Sequence, residues 1–212
     1  MNAVLKFTLL SDGPSDRSLI HPLTWLLDQQ RIHRGFQFDW ADFSQVRPRP
    51  SHLPVRIARA IELYPCDLLF VHRDAERESR TKRVDEIETA LKKAQIVPPL
   101  VIYVIPVRMM EAWLLFDEAA LRRAAGNPNG TDSLEIPDVS ILESVPDPKN
   151  LLTDQLKVAS GLSGRRLKKF RPSPERVAQY LRDYKPLRAL DAFQKLEADL
   201  AKMVKTQGWD CK

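Results

Sequence analysis

The sequence has few of the residues that staple or punctuate small folds: its 212 residues include 2 cysteines and 7 glycines. Cys66, in the apolar run from Cys66 to His72, and Cys211, next to last, are too few and too poorly placed for a disulfide framework or a zinc site. One buried thiol and one loose tail thiol in a reducing cytoplasm are expected. No apolar run approaches the roughly 20 residues that span a bilayer, so no membrane partner is expected. The opening MNAVLKFTLLSDG has a short apolar run before Asp12, without a basic head or a small-residue cleavage site, and does not read as a secretory signal. Neither G-x-G-x-x-G nor G-x-x-x-x-G-K-S/T follows a strand-like run, which argues against a dehydrogenase or ATPase site in this chain. Internal repeats and low-complexity segments are also missing.

What is present suits one ordinary globular domain, with or without an appendage: 43% apolar residues, 16 prolines and a net charge of +5. A chain this long buries roughly 70% of its unfolded surface, so a metal would be there for chemistry rather than for folding. The charge is uneven, because residues 1–155 carry 19 basic and 22 acidic side chains while residues 156–212 carry 14 and 6. Arg165, Arg166, Lys168, Lys169 and Arg171 concentrate the excess in a cluster able to meet a phosphate backbone; a solvated surface run is the plainer alternative.

Four short runs rich in β-branched or aromatic residues read as strands: Val4 to Leu10, Phe36 to Phe43, Cys66 to His72 and Leu100 to Val107. Between them, Leu19, Leu23, Leu26 and Leu27, then Ile57 and Ile61, then Val84, Ile87, Leu91 and Ala94 recur at helical spacing. Alternating strand and helix over residues 3–107 predicts an α/β fold, a parallel sheet of about four strands flanked by helices with sites at the strands' carboxyl ends. His21 and Pro22, inside the first helical pattern, suggest a kink. A helix is expected over Met109 to Leu121, and a loop-rich insertion over 126–149. A basic helical extension is expected over 150–212, broken at GLSG, RPSPE and KP, and a stripe of Leu190, Phe193, Leu196, Leu200 and Met203 would pack it on the 1–125 core.

The acids fall where such a sheet would open. The first strand runs into SDGPSD, with Asp12 on the turn, Gly13 supplying backbone freedom and Asp16 in the first helical turn, where the helix dipole alone would favour a carboxylate. The third strand ends in HRDAE, so Asp74 and Glu76 leave the same edge two residues apart. After the fourth, Glu111 lies among Met110, Ala112 and Trp113, where an acid needs a partner or a purpose. Asp12, Asp16, Asp74, Glu76 and Glu111 thus form an all-oxygen set of the kind that binds Mg²⁺ or Mn²⁺. Arg73 is the best single candidate to counter phosphate charge, with an ion pair to a neighbouring carboxylate as its plainer role. His72 is expected to pack beside the site rather than to ligate.

These segments carry a resemblance. A strand followed by D-G-P-S-D and a helix, a later strand ending in R-D-A-E, and then M-E-A-W-L-L-F-D resemble a Toprim-like family of small bacterial proteins associated with mobile elements and antiphage defence. That group is related to overcoming-lysogenization-defect nucleases; P-D-P-K at 146–149 and A-F-Q-K-L at 192–196 also resemble its later motifs. The resemblance implies a Toprim-like core over 1–125 and a Mg²⁺-dependent nuclease acting on DNA or RNA. In it Asp74, Glu76 and Glu111 hold one or two ions, Asp12 ligates or serves as acid/base, and Asp16 ligates or orients. It also implies work with an ATPase partner in defence, and it leaves homo-oligomerisation open. The chain departs twice from the Toprim pattern, with Asp12 in place of the usual Glu and Glu76 in place of the second Asp. Charge is kept and reach changes by one methylene, which preserves metal binding while altering the geometry of a general acid or base. Two alternatives stand beside the nuclease: a Toprim-like module without turnover that binds nucleic acid or docks a partner, and a small-molecule enzyme on a parallel sheet, disfavoured by the missing phosphate loop.

Overall fold

A computed structural model describes residues 4–32 and 35–210. The tail thiol expected at Cys211 lies outside these residues, as does Lys212 at the end of the expected extension. Four strands, β1 (Leu5–Leu10), β2 (Phe36–Trp40), β3 (Leu68–His72) and β4 (Leu100–Val104), make one parallel sheet in the order β2-β1-β3-β4. The architecture is α/β, an all-parallel sheet with helices on both faces and a helical C-terminal part, the class expected from the sequence. Every residue of β3 is buried, as the central position of a doubly covered strand demands.

Alternation along the strands divides the core in two. Phe7 and Leu9 of β1, Phe70 of β3 and Ile102 of β4 face one layer, which contains α1 (Ile20–Gln29) and the C-terminal helices. Leu10, Leu69 and Val71 face the other, packing on Ile57 and Ala60 of α2 (Leu53–Leu63) and Ile87 and Ala90 of α3 (Arg80–Lys93). After β4 come α4 (Glu118–Ala124), α5 (Pro148–Ala159), α6 (Gly164–Lys169), α7 (Pro174–Tyr180) and α8 (Asp191–Thr206). The expected stripe sits in the first layer: Phe193, Leu196 and Leu200 of α8 are buried, each contributing about 1.5–3 kcal/mol of apolar transfer. The Phe193 ring meets Trp113 edge-on with centroids 5.2 Å apart, and Trp209 lies 5.8 Å from Phe7. One apolar cluster therefore runs from the sheet through residues 110–125 into the C-terminal helices.

Local chemistry changes several expected boundaries. The helix expected over Met109 to Leu121 is a 3-10 turn at Met110–Leu114 followed by α4, because the Asp117 carboxylate accepts from the Ala120 amide at 2.9 Å and starts a new helix. Pro22 lies in the first turn of α1, directly after a 3-10 turn at Pro14–Leu19, where the α-helix has no partner for the amide that proline lacks. Ser173 caps α7 through the Arg176 amide, with Pro174 at the first helical position. The region 126–149 includes a 3-10 turn at Val139–Ser144 that buries Leu142. Cys66 is half-buried rather than buried, and burial pushes its thiol pKa up. Among the described residues no helix is long and apolar enough to cross a membrane.

Candidate functional site

The carboxyl ends of β1, β3 and β4 deliver the acids named from sequence, but not as one group. Among the described residues no three or more His, Cys, Asp or Glu side chains are arranged to hold a metal ion. The five carboxylates expected together fall into two sets, divided by the arginines between them.

Asp12 and Glu76 belong to a ladder of alternating charge. Asp12 Oδ1 accepts from Arg56 Nη1 at 3.1 Å and from Arg73 Nη1 at 2.9 Å. Arg73 reaches on to Glu86 at 3.0 Å, Glu86 to Arg83 at 2.9 Å, and Arg83 to Glu76 at 3.3 Å. Arg56 also donates to the Ser11 carbonyl. The plainer role foreseen for Arg73, an ion pair, is thus present. Glu76 has φ 55° and faces Arg108, at φ 63°, donating its amide to the Arg108 carbonyl at 2.8 Å. Two non-glycine residues in the left-handed region carry the β3–β4 pairing past the strand ends, a conformation that costs of order 1 kcal/mol at each. The Glu76 side chain is consequently 64% exposed and directed into the arginine ladder.

Asp16, Asp74 and Glu111 surround His72 instead. Asp16 is buried because it closes its own turn: Oδ2 accepts from the Gly13 amide at 2.7 Å and Oδ1 from Ser15 Oγ at 3.1 Å. These are the bonds a carboxylate makes at a helix start, so the helix-terminus role expected for Asp16 is present. Gly13 has an extended backbone at φ −137°, so its amide is used there and its conformational freedom is not. Asp74 Oδ1 accepts from the Met110 amide at 2.9 Å, fastening the end of β3 to the turn that carries Glu111. The His72 side chain is fully buried; Nδ1 lies 3.0 Å from the Val104 carbonyl, which can only accept, so Nδ1 carries a hydrogen. Its Nε2 has no hydrogen-bond partner and lies 3.5 Å from Asp74 Oδ1 and 3.8 Å from Asp16 Oδ2.

Burial pushes the Asp74 pKa up to about 6, with Asp16 and Glu111 adding repulsion against the pull of His72 and the Met110 amide. Burial likewise raises Glu111, opposed in part by the Lys149 ammonium at the start of α5. Among the described residues neither Asp74 nor Glu111 forms an ion pair with Arg or Lys. This pair of hard-oxygen donors, short of positive charge, fits Mg²⁺ or Mn²⁺, since Mg²⁺ is commonly held by one or two carboxylates and completed by water and substrate phosphate.

Two openings flank these acids. A cleft of about 350 Å³ between the ends of β1 and β2 is lined by Ser11, Asp12, Trp40, Asp42, Arg49 and Arg56. A second, of about 480 Å³, lies against Glu76, Arg77, Arg83, Arg108 and Asp147. The basic cluster lies on the helix α6, with Arg165, Arg166, Lys168, Lys169 and the following Arg171 all exposed. None of the five forms an ion pair with a described residue. Sequence reasoning missed Arg56, which reads as the solvated face of an amphipathic helix, and Trp40, whose indole donates to Ser11 Oγ at 2.9 Å. Nothing local marks either one, because both contacts join segments far apart in the chain. No protein family, curated protein or solved structure matches the chain.

Proposed function

We propose that the chain is a Toprim-like, Mg²⁺-dependent phosphodiester hydrolase acting on DNA or RNA. The observation that carries this is the pair Asp74 and Glu111: a half-buried and a buried carboxylate from neighbouring strand ends, raised in pKa by that burial and left without an arginine or lysine partner. They would hold the ion, with Asp16 beside them fixing the turn and orienting the edge. A bound Mg²⁺ there would polarise a phosphodiester and lower the pKa of an attacking water. Met110's amide holds Asp74 in place, Lys149 tempers the charge on Glu111, and Arg108, which lines the second opening and has no ion pair among the described residues, would offer positive charge to a phosphate, while Arg73 is engaged by Asp12 and Glu86. Because the chain has no phosphate loop, an ATP requirement would fall to a partner, in keeping with an effector of antiphage defence that works with an ATPase. Mg²⁺- or Mn²⁺-dependent cleavage of single- and double-stranded DNA and RNA, lost in Asp74→Ala and Glu111→Ala, is the test.

A second function has an observation of its own. Asp12 and Glu76, the two departures from the Toprim pattern, are both tied up by arginines, which favours a module that binds nucleic acid or a protein partner without turnover. Binding that ignores EDTA and falls steeply with salt, with no cleavage under any divalent ion, would select it.

A further inference from the structure

We propose that the cleft between the carboxyl ends of β1 and β2 is a subsite for one unpaired nucleotide, its base on Trp40 and its phosphate on Arg49, with Arg56 forming the wall behind them. The proposal rests on the phosphodiester function above, since a strand presented to Asp74 and Glu111 has to run on past Asp12 at the neighbouring strand end. The cleft, at about 350 Å³, has the size of a small-ligand pocket and is lined by Trp40, by serine hydroxyls, by Arg49 and Arg56, and by two carboxylates that already have partners, Asp12 on Arg56 and Arg73 and Asp42 on Ser44. Trp40 is half-buried and held in orientation by its bond to Ser11 Oγ, so it offers a rigid ring at little entropic cost. The Arg17 guanidinium, 6.0 Å from that ring, stands at the outer limit of a cation–π contact and adds positive charge at the rim.

Arg56 is preset by three acceptors: the Asp12 carboxylate and the Ser11 and Asp12 carbonyls. Asp12 is then a positioning residue, with its carboxylate spent on aiming Arg56 and Arg73. Arg49 is exposed and has no ion pair among the described residues, so its charge is available. Aromatic rings beside cations are the usual means of holding single strands, because every base has a face to stack and every nucleotide a phosphate. A duplex hides its base faces and would leave Trp40 unused.

The test is fluorescence anisotropy in EDTA with a labelled oligothymidylate of about ten nucleotides, alongside a blunt duplex. The strand should bind the wild-type protein more tightly than the duplex does. Trp40→Leu should weaken strand binding about tenfold, while Trp40→Phe, which keeps a stacking face, should stay within about threefold. Arg49→Ala should make the logarithmic salt slope about 0.7 shallower. Arg49 is exposed, so this variant keeps the test valid should Trp40→Leu fail to fold. Folded variants that bind the strand as the wild type does overturn the proposal. Mg²⁺-dependent cleavage by the wild type is scored separately. Cleavage that persists with unchanged strand affinity in both variants removes the subsite and leaves the hydrolase. Strand binding that depends on Trp40 and Arg49, without cleavage, keeps the subsite and removes the hydrolase.

Discussion

Two pairs of acids share one sheet edge and meet opposite environments. Asp12 and Glu76 have side chains 38% and 64% exposed and are matched by Arg56, Arg73 and Arg83, whereas Asp74 is 26% exposed, Glu111 is buried, and neither has a guanidinium or ammonium in ion-pair contact. The first pair is electrostatically complete as it stands. The second carries desolvated negative charge that only a cation or a proton can relieve. Acidity at a strand end is therefore a poor guide to chemistry; what matters is whether the fold has already supplied the counter-charge.

The widest separation between the pairs should appear in turnover. If Asp74 and Glu111 hold the ion, Asp74→Ala or Glu111→Ala should lower Mg²⁺-dependent cleavage about a thousandfold, equivalent to several kcal/mol of transition-state stabilisation. Asp12→Asn, which only loosens two arginines, should cost about tenfold. Equal losses in steady-state cleavage assays would erase the distinction between the pairs.

Next in size is the contribution of the remote basic helix. Replacing Arg165, Arg166, Lys168 and Lys169 of α6 with alanine removes no buried side chain and should leave the circular dichroism spectrum unchanged. Nucleic-acid affinity should fall, with a logarithmic salt slope shallower by about 3 to 4 units on a duplex if all four meet phosphates. An unaltered slope would confine binding to the arginine-flanked edge.

A smaller effect concerns the metal-free protein. Asp74 titrates near 6 when folded and near 3.9 when unfolded, so the native state binds more protons between about pH 4 and 6. The wild type then gains stability as pH falls through that window. Asp74→Asn keeps the acceptor for the Met110 amide and should be more stable by about 2 kcal/mol at pH 7, an advantage that fades toward pH 4. Urea unfolding in EDTA across this range measures it; a less stable variant at pH 7 would mark Asp74 as structural.

Smallest should be the stability change in Asp12→Asn. Its ion pairs are partly solvated, so the loss should stay under about 1 kcal/mol and shrink at high salt. A loss of several kcal/mol in thermal unfolding would place Asp12 among the buried groups and overturn its contrast with Asp74.

The four strands, the three helices between them and the stripe on α8 were legible because each rests on local periodicity and β-branched or aromatic content, whereas the order β2-β1-β3-β4 within the sheet was not. The strand ends that carry Asp12, Asp74 and Glu111 were legible for the same reason, since a parallel sheet gathers carboxyl ends on one edge. The break at Asp117 was missed although its signal, an Asp three residues before Ala120 that can accept from that amide, was present.

What the sequence by itself determined is thus the α/β layering and the edge at which the acids collect, because helix and strand periods and turn chemistry are properties of neighbouring residues. Only the tertiary structure decided which acids were neutralised. Arg56 reaches Asp12 across 44 residues, Arg73 reaches it across 61, and the Met110 amide reaches Asp74 across 36. Counter-charge, desolvation and hydrogen bonding act over a few ångströms of space regardless of separation along the chain, so the contrast between Asp12 and Asp74 exists only once the chain is folded.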